Sequence, residues 1–218
     1  MPFSKIKQTK SLKQIAFEVI KDAIINHEIL PGEPLYERYV REKLEISRTP
    51  IREAIQLLEL EGWVTSVPRK GTFVSNISVE GVEEILQSRR ALEVLTIELL
   101  IPKITDEQLI QLERILSKQE ETKDDKKTFI AIDKEFHQHL ATFSGNRRIA
   151  QLIETYGDQI RWFGYRAITQ SGRVEETLKE HRAIFEGLKA RDLGRAKQAV
   201  LDHMEQTRLA IISGIQQG

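Results

Sequence analysis

The amino-acid sequence predicts a mainly α protein in two parts. Residues 1–76 read as an N-terminal winged helix-turn-helix, and residues 77–218 as a C-terminal all-helical bundle. Three observations carry this reading. Apolar residues recur at helical spacing along most of the chain. The one change to a strand-like pattern falls at Trp63–Ser75, with a turn at Pro68-Arg69-Lys70-Gly71 inside it. After the short connector Asn76–Val79 the helical period returns and persists to the end.

Bulk properties bound the function. A chain of 218 residues is long enough for one large domain or two modest ones, each able to bury a core. The formal net charge is zero, so affinity for a polyanion must come from a local patch. The imbalance between the parts is mild: 12 Lys/Arg against 10 Asp/Glu in residues 1–76, and 21 against 23 in the remainder. The lack of cysteine excludes disulfides, thiolate metal sites and a cysteine nucleophile. Met1–Lys10 is basic, but no apolar stretch follows it as in a signal peptide. No segment approaches the roughly 18 uninterrupted apolar residues of a membrane span. A cytoplasmic protein without membrane contact is therefore expected.

Taken in order, Ser11 is suited to cap a first helix running to His27, with Ile15, Val19, Ala23 and Ile24 on its buried face. Leu30-Pro31-Gly32-Glu33-Pro34 breaks the chain. A short helix spans Glu37–Leu44, and after Glu45-Ile46 another runs from Ser47 to Gly62, with Pro50 in its first turn. The bundle divides into helices at 80–100, 105–120, 129–143, 147–169, 174–190 and 193–215. Thr105 and Gln108 form a capping box, Gly145 marks a helix end, and the mixed-charge run Glu120–Lys127 is a solvated connector.

The third helix carries the first candidate site. Ile51, Ala54, Ile55 and Leu58 make its buried face, while Arg48, Arg52 and Gln56 project together from another. Two guanidiniums and an amide suit phosphate oxygens and purine edges in a major groove. Ser47 and Thr49 can add contacts to phosphate near the helix N-terminus. At the wing tip Arg69 and Lys70 precede Gly71, where backbone can approach DNA closely. The alternative, Arg48 and Arg52 pairing with Glu45, Glu53 or Glu59, leaves unexplained why basic residues coincide at helix and wing tip.

The second candidate site lies in the bundle. Asp133 and His137 fall on the stripe of Phe129, Ile132, Phe136, Leu140 and Phe143. His181 falls on that of Val174, Leu178, Phe185 and Leu188, and His203 on that of Ala196, Val200, Thr207 and Ile211. Burying such groups uncompensated is costly. A divalent metal would satisfy all four at once, zinc first, with nickel, iron and manganese also suited to imidazole and carboxylate. The competing reading is an Asp–His hydrogen bond beside two satisfied core histidines. His139 and His27 read as surface. Arg89 sits in the middle of the stripe Val82, Ile85, Leu86, Leu92 and Ile97. It either pairs internally, with Glu93 or a neighbouring helix, or clamps an anionic ligand.

These residues also carry a family resemblance. Residues 12–74 resemble the DNA-binding domain of the GntR superfamily, above all in Ile46-Ser47-Arg48-Thr49-Pro50-Ile51-Arg52-Glu53-Ala54-Ile55, Glu61-Gly62-Trp63-Val64 and Pro68-Arg69-Lys70-Gly71-Thr72-Phe73-Val74. The resemblance implies DNA contacts from Arg38, Arg48, Thr49, Arg52 and Lys70-Gly71. The second helix departs from the pattern: Arg41 and Glu45 stand where small residues are expected, so the backbone path of that turn is not fixed. Residues 80–213 resemble the FCD ligand-binding domain of the FadR subfamily. The matching stretches are Ser88-Arg89-Arg90-Ala91-Leu92-Glu93, Asp133-Lys134-Glu135-Phe136-His137, Ser144-Gly145-Asn146, Glu180-His181-Arg182-Ala183-Ile184 and Asp202-His203-Met204. This resemblance implies a metal held by Asp133, His137, His181 and His203. It also implies a small carboxylate effector, with Asn146 as a further pocket residue.

Together these features lead us to expect a ligand-responsive DNA-binding repressor. As a homodimer it would set two reading helices in successive major grooves of a palindromic operator. A metal-dependent enzyme and a purely structural metal are the alternatives. No nucleophile elbow, HExxH motif or phosphate-binding Gly-rich loop supports catalysis, so no enzyme is expected.

Overall fold

The computed structural model describes residues 10–216; apart from Lys10, the basic stretch Met1–Lys10 lies outside the described residues. The chain divides at Asn76–Ile77 into two compact units.

The first unit contains α1 (Leu12–Ile25), α2 (Glu37–Leu44), α3 (Arg48–Leu60), β1 (Val64–Val67) and β2 (Gly71–Val74). Ser11 caps α1 by accepting the backbone N–H of Gln14. The buried face of α1 is Ala16, Phe17, Ile20, Ile24 and Ile25, whereas Ile15 and Val19 are exposed. This corrects the expected face at Ile15 and Val19, while Ile24 is buried as expected. With apolar residues at nine positions between Leu12 and Ile25, two stripes one residue out of step both fit the period. The stripe carrying Phe17 and Ile20 is the one buried, and α1 packs on α3.

At Glu45 the backbone turns left-handed, φ 53°, and closes α2. Thus the turn between α2 and α3 keeps the conformation that a glycine would supply, with a glutamate strained into it. Ile51, Ala54, Ile55 and Leu58 bury one face of α3, and Trp63 lies 1% exposed beneath the hairpin. β1 and β2 pair antiparallel, Val64 opposite Val74 and Val67 opposite Gly71. The segment after the Pro31-Gly32 break adds a short third edge. Leu35 N–H donates to the Thr72 carbonyl at 2.8 Å and Val74 N–H to the Glu33 carbonyl at 2.9 Å. Backbone groups that a loop would leave to water are satisfied there, which ties the wing to the rest of the unit.

The second unit holds six helices: α4 (Val79–Leu100), α5 (Asp106–Glu121), α6 (Lys126–Phe143), α7 (Arg147–Ala167), α8 (Arg173–Lys189) and α9 (Leu193–Gln216). α9 is central, packing on α8, α4 and α7, while α6 packs on α7 and α5. The Thr105–Gln108 capping box forms. The charged connector is shorter than expected, because Asp125 accepts the Thr128 N–H and starts α6 three residues early. No described helix is long and apolar enough to cross a membrane.

Candidate DNA-reading surface and buried metal centre

In the first unit every candidate contact residue is exposed: Arg38, Ser47, Arg48, Thr49, Arg52, Gln56, Arg69, Lys70 and Gly71. Ser47 is the N-cap of α3 but makes no side-chain capping bond, so its hydroxyl is not committed to the helix. Arg48 and Arg52 pair with none of the three glutamates considered above. Both turn to Glu37 at the start of α2: Arg52 Nε lies 3.1 Å from Oε1, and Arg48 Nε 3.5 Å from Oε2. Arg38 Nε donates to Glu42 at 2.8 Å. Such exposed pairs are worth about 0–1 kcal/mol, so a phosphate or a base edge can replace them cheaply. At the wing, Lys70 N–H donates to the Val67 carbonyl at 3.0 Å and closes a tight turn. Arg69 takes φ 64° in it and Gly71 φ 119°. Glycine relieves strain at position 71, while Arg69 bears it and holds a cation at the tip.

In the second unit, α6, α8 and α9 bring Asp133, His137, His181 and His203 together, with one donor atom from each lying within 4.8 Å of all the others. The imidazoles are buried and the carboxylate is partly so. His137 Nε2 and His203 Nε2 face each other at 3.1 Å. His181 Nε2 lies 3.3 Å from Asp133 Oδ1, yet makes no hydrogen bond.

The opposite edges of the rings explain why these nitrogens converge. His203 Nδ1 donates to Glu180 Oε2 at 2.7 Å, and His181 Nδ1 to Gln119 Oε1 at 2.8 Å. His137 Nδ1 lies 2.8 Å from Glu93 Oε1, close enough to require a proton there but out of line for a full hydrogen bond. Burial alone would raise the Glu93 carboxyl; His137 and the Arg89 guanidinium beside it outweigh this and hold it at about 2. Burial also opposes ionisation of Glu180, but hydrogen bonds from His203 and Arg173 outweigh it and lower its pKa. Both carboxylates are therefore acceptors, which places protons on the Nδ1 atoms and lone pairs on the Nε2 atoms. Burial, followed by the charge of its neighbours, drives His181 well below the ordinary imidazole value and also lowers His203. Two lone pairs at 3.1 Å repel unless a cation lies between them. The donor set thus fits a divalent ion on three imidazoles and one carboxylate.

Arg89 pairs internally with Glu93, the first of its two readings. Its Nε donates to Glu93 at 3.0 Å with both side chains buried, and the residue lines a cavity of about 50 Å³ that Asp133 and His203 also line. The resemblance implied Asn146 as a further pocket residue. Its Oδ1 accepts the backbone N–H groups of Arg148 and Ile149, so it caps α7, and it does not line that cavity. His139 lies outside the cluster, half-buried, with Nδ1 2.8 Å from the Glu135 carbonyl.

Sequence reasoning passed over Gln119, Glu180 and Arg173. Gln119 continues the stripe Leu112, Ile115, Leu116 of α5, a signal that was present. Glu180 sits beside His181 and is partly buried. Arg173 opens α8, where a charged residue normally faces water; here its terminal nitrogens grip both Glu180 oxygens, at 2.5 and 2.9 Å, and Thr207 at 3.3 Å.

Two family models match separate stretches of the chain. Residues 12–74 match the family model described as bacterial regulatory proteins, gntR family, and residues 84–206 match that of the FCD domain. The HTH-type transcriptional regulator YdhC of Bacillus subtilis is 35% identical over 192 residues, covering 86% of this chain and 85% of YdhC. The HTH-type transcriptional repressor RspR of Escherichia coli K12 is 27% identical, with 93% and 90% covered. Among solved structures, E. coli McbR/YncC superposes with a TM-score of 0.81 at 20% identity, over 94% of this chain and 99% of that one, a likeness of fold.

Proposed function

Because the chain belongs to the gntR family of bacterial regulatory proteins, as a transcriptional regulator with an FCD domain, we propose that it is a ligand-responsive repressor. On this reading it senses a small carboxylate at a divalent metal site in its second unit. The observation that carries the sensing half is the set of three buried imidazoles whose Nδ1 edges are held by Glu93, Gln119 and Glu180, leaving three Nε2 lone pairs beside Asp133. A bound zinc ion would supply a fixed positive charge to attract an anion. Glu93, Gln119 and Glu180 orient the rings, and Arg89 and Arg173 place two guanidiniums at the same cavity.

For DNA, Arg48, Arg52 and Gln56 are proposed to read bases in the major groove. Ser47, Thr49 and Arg38 would contact phosphates, and Arg69, Lys70 and Gly71 would bring the wing to the backbone. A homodimer would match a palindromic operator. Ligand can regulate binding only if its affinity differs between DNA-competent and DNA-incompetent states. RspR, described as a transcriptional repressor, favours repression as the output.

The test is operator affinity. Selection from random duplexes should return a palindrome, and anisotropy with zinc-loaded protein should then show weaker binding as an acid saturates the cavity. A tightly bound acid that leaves operator affinity unchanged would refute the ligand-responsive part.

A further inference from the structure

The cavity beside the four donors is lined by two unlike sets of residues. Asp133, His203, Arg89, Arg173, Thr177 and Thr207 are polar. The rest are apolar, among them Phe129 and Ile130 from α6, Ile160, Ala167 and Ile168 from α7, and Ile211 from α9. Phe129, Ile130 and Ile168 also pack into one apolar cluster. The cavity measures only about 50 Å³, so a molecule anchored at the polar residues would carry only a compact body against the apolar ones.

Gly164 lies between Ile160 and Ile168 on the cavity face of α7. A glycine inside a helix is unfavourable relative to alanine, so its retention calls for a reason. Crowding is not the reason, because a Cβ built at Gly164 meets no atom within 4 Å. The missing side chain leaves open space in the apolar wall.

Charge narrows the anchor. Among the described residues that line the cavity or stand behind the imidazoles, two guanidiniums (Arg89, Arg173) face three carboxylates (Glu93, Glu180, Asp133). That leaves one negative charge, which a divalent ion would turn into one positive charge. One carboxylate then brings the buried site to neutrality, whereas a second or third would be desolvated without a partner. The apolar wall offers it none.

Resting on the effector reading above, we infer that the ligand is a monocarboxylate with a compact apolar body, seated in the chamber whose depth is set by Gly164. Hydroxy-dicarboxylates and hydroxy-tricarboxylates fit the site poorly.

Calorimetric titration of the full-length, zinc-loaded protein with hexanoate, acetate and malate tests this, with Gly164→Leu as the variant. Hexanoate should bind at least tenfold more tightly than acetate or malate. Gly164→Leu should weaken hexanoate at least tenfold while leaving zinc affinity, acetate affinity and the helical circular-dichroism signal unchanged. Gly164→Ala, whose side chain has room, should fold normally and give an intermediate loss. Malate binding as tightly as hexanoate in a zinc-dependent way would overturn the apolar-body inference and leave the effector reading standing. Hexanoate affinity indifferent to Gly164→Leu would overturn the role of Gly164. If none of these acids binds the zinc-loaded protein, the inference and the carboxylate-effector reading fall together.

Discussion

Each unit contains an arginine–glutamate contact of nearly the same length. Arg52 Nε lies 3.1 Å from Glu37 in the first, and Arg89 Nε 3.0 Å from Glu93 in the second. The side chains are 54% and 36% exposed in one pair and 3% and 1% in the other. Distance hardly distinguishes them; solvent does. Water screens the first pair and can replace either partner, so it holds the arginines in place while leaving them available. The second pair has lost its water, and each charge depends on the other. One unit keeps its cations exchangeable for an external polyanion; the other fixes polar groups in place around a small cavity.

The largest expected effect breaks the buried pair. Glu93→Leu leaves the Arg89 guanidinium and the Nδ1–H of His137 without their carboxylate. Removing one half of such a pair typically costs about 3–5 kcal/mol. Differential scanning calorimetry should show the transition of the second unit falling while that of the first stays in place. Glu37→Leu should shift neither transition by more than about 1 kcal/mol. Comparable losses in the two variants would dissolve the distinction.

Next in size is the consequence for DNA. Arg48→Ala or Arg52→Ala should each weaken operator binding by about 1–3 kcal/mol if the guanidinium reads a base. Lys70→Ala should instead weaken all duplexes alike and flatten the salt dependence. Thermal stability should barely move in any of the three. An unfolded Arg52→Ala protein would assign that residue to structure.

The pH dependence sharpens the same contrast. In the folded, metal-free second unit, burial lowers the His181 and His203 pKa values. Below pH ~6.5 the unfolded chain therefore takes up protons that the folded chain refuses. Stability therefore falls as pH falls below that value, for as long as the protonation of these histidines differs between the two states. Glu93, held at about 2 against an ordinary 4.5, adds a further loss as pH drops between those values. The first unit should show no loss of this kind between pH 7 and 5.5, and zinc should move the decline of the second to lower pH.

The two units were also unequally legible in the sequence. The reading surface could be found from spacing, because exposed residues at i and i+4 on one helix need no knowledge of what packs behind them. The four donors were legible too, since a polar residue on an apolar stripe has only one place to go. What could not be read was the layer behind the imidazoles. Glu180 and Arg173 sit where a helix normally meets water, and only the approach of α9 encloses them. Gln119 follows the stripe of α5, but nothing local says that an imidazole 62 positions later will meet it. The face of α1 was misjudged for the opposite reason: too many apolar residues left two phases equally good.

The smallest effect concerns the turn into α3, where family resemblance alone did not fix the backbone. Glu45 holds φ 53° without a glycine's freedom and is exposed. Nothing in its surroundings opposes a smaller side chain, so Glu45→Gly should relieve the strain. The gain is set against the greater freedom that glycine gives the unfolded chain, leaving a net of about 0.5–1 kcal/mol. It should appear as a higher transition for the first unit alone, with α3 entering at the same angle and operator affinity unchanged. A gain in stability with a loss in affinity would mean that the glutamate contributes to DNA reading. The strain would then resemble that at Arg69, where a charged side chain also occupies a glycine-like conformation on the same unit.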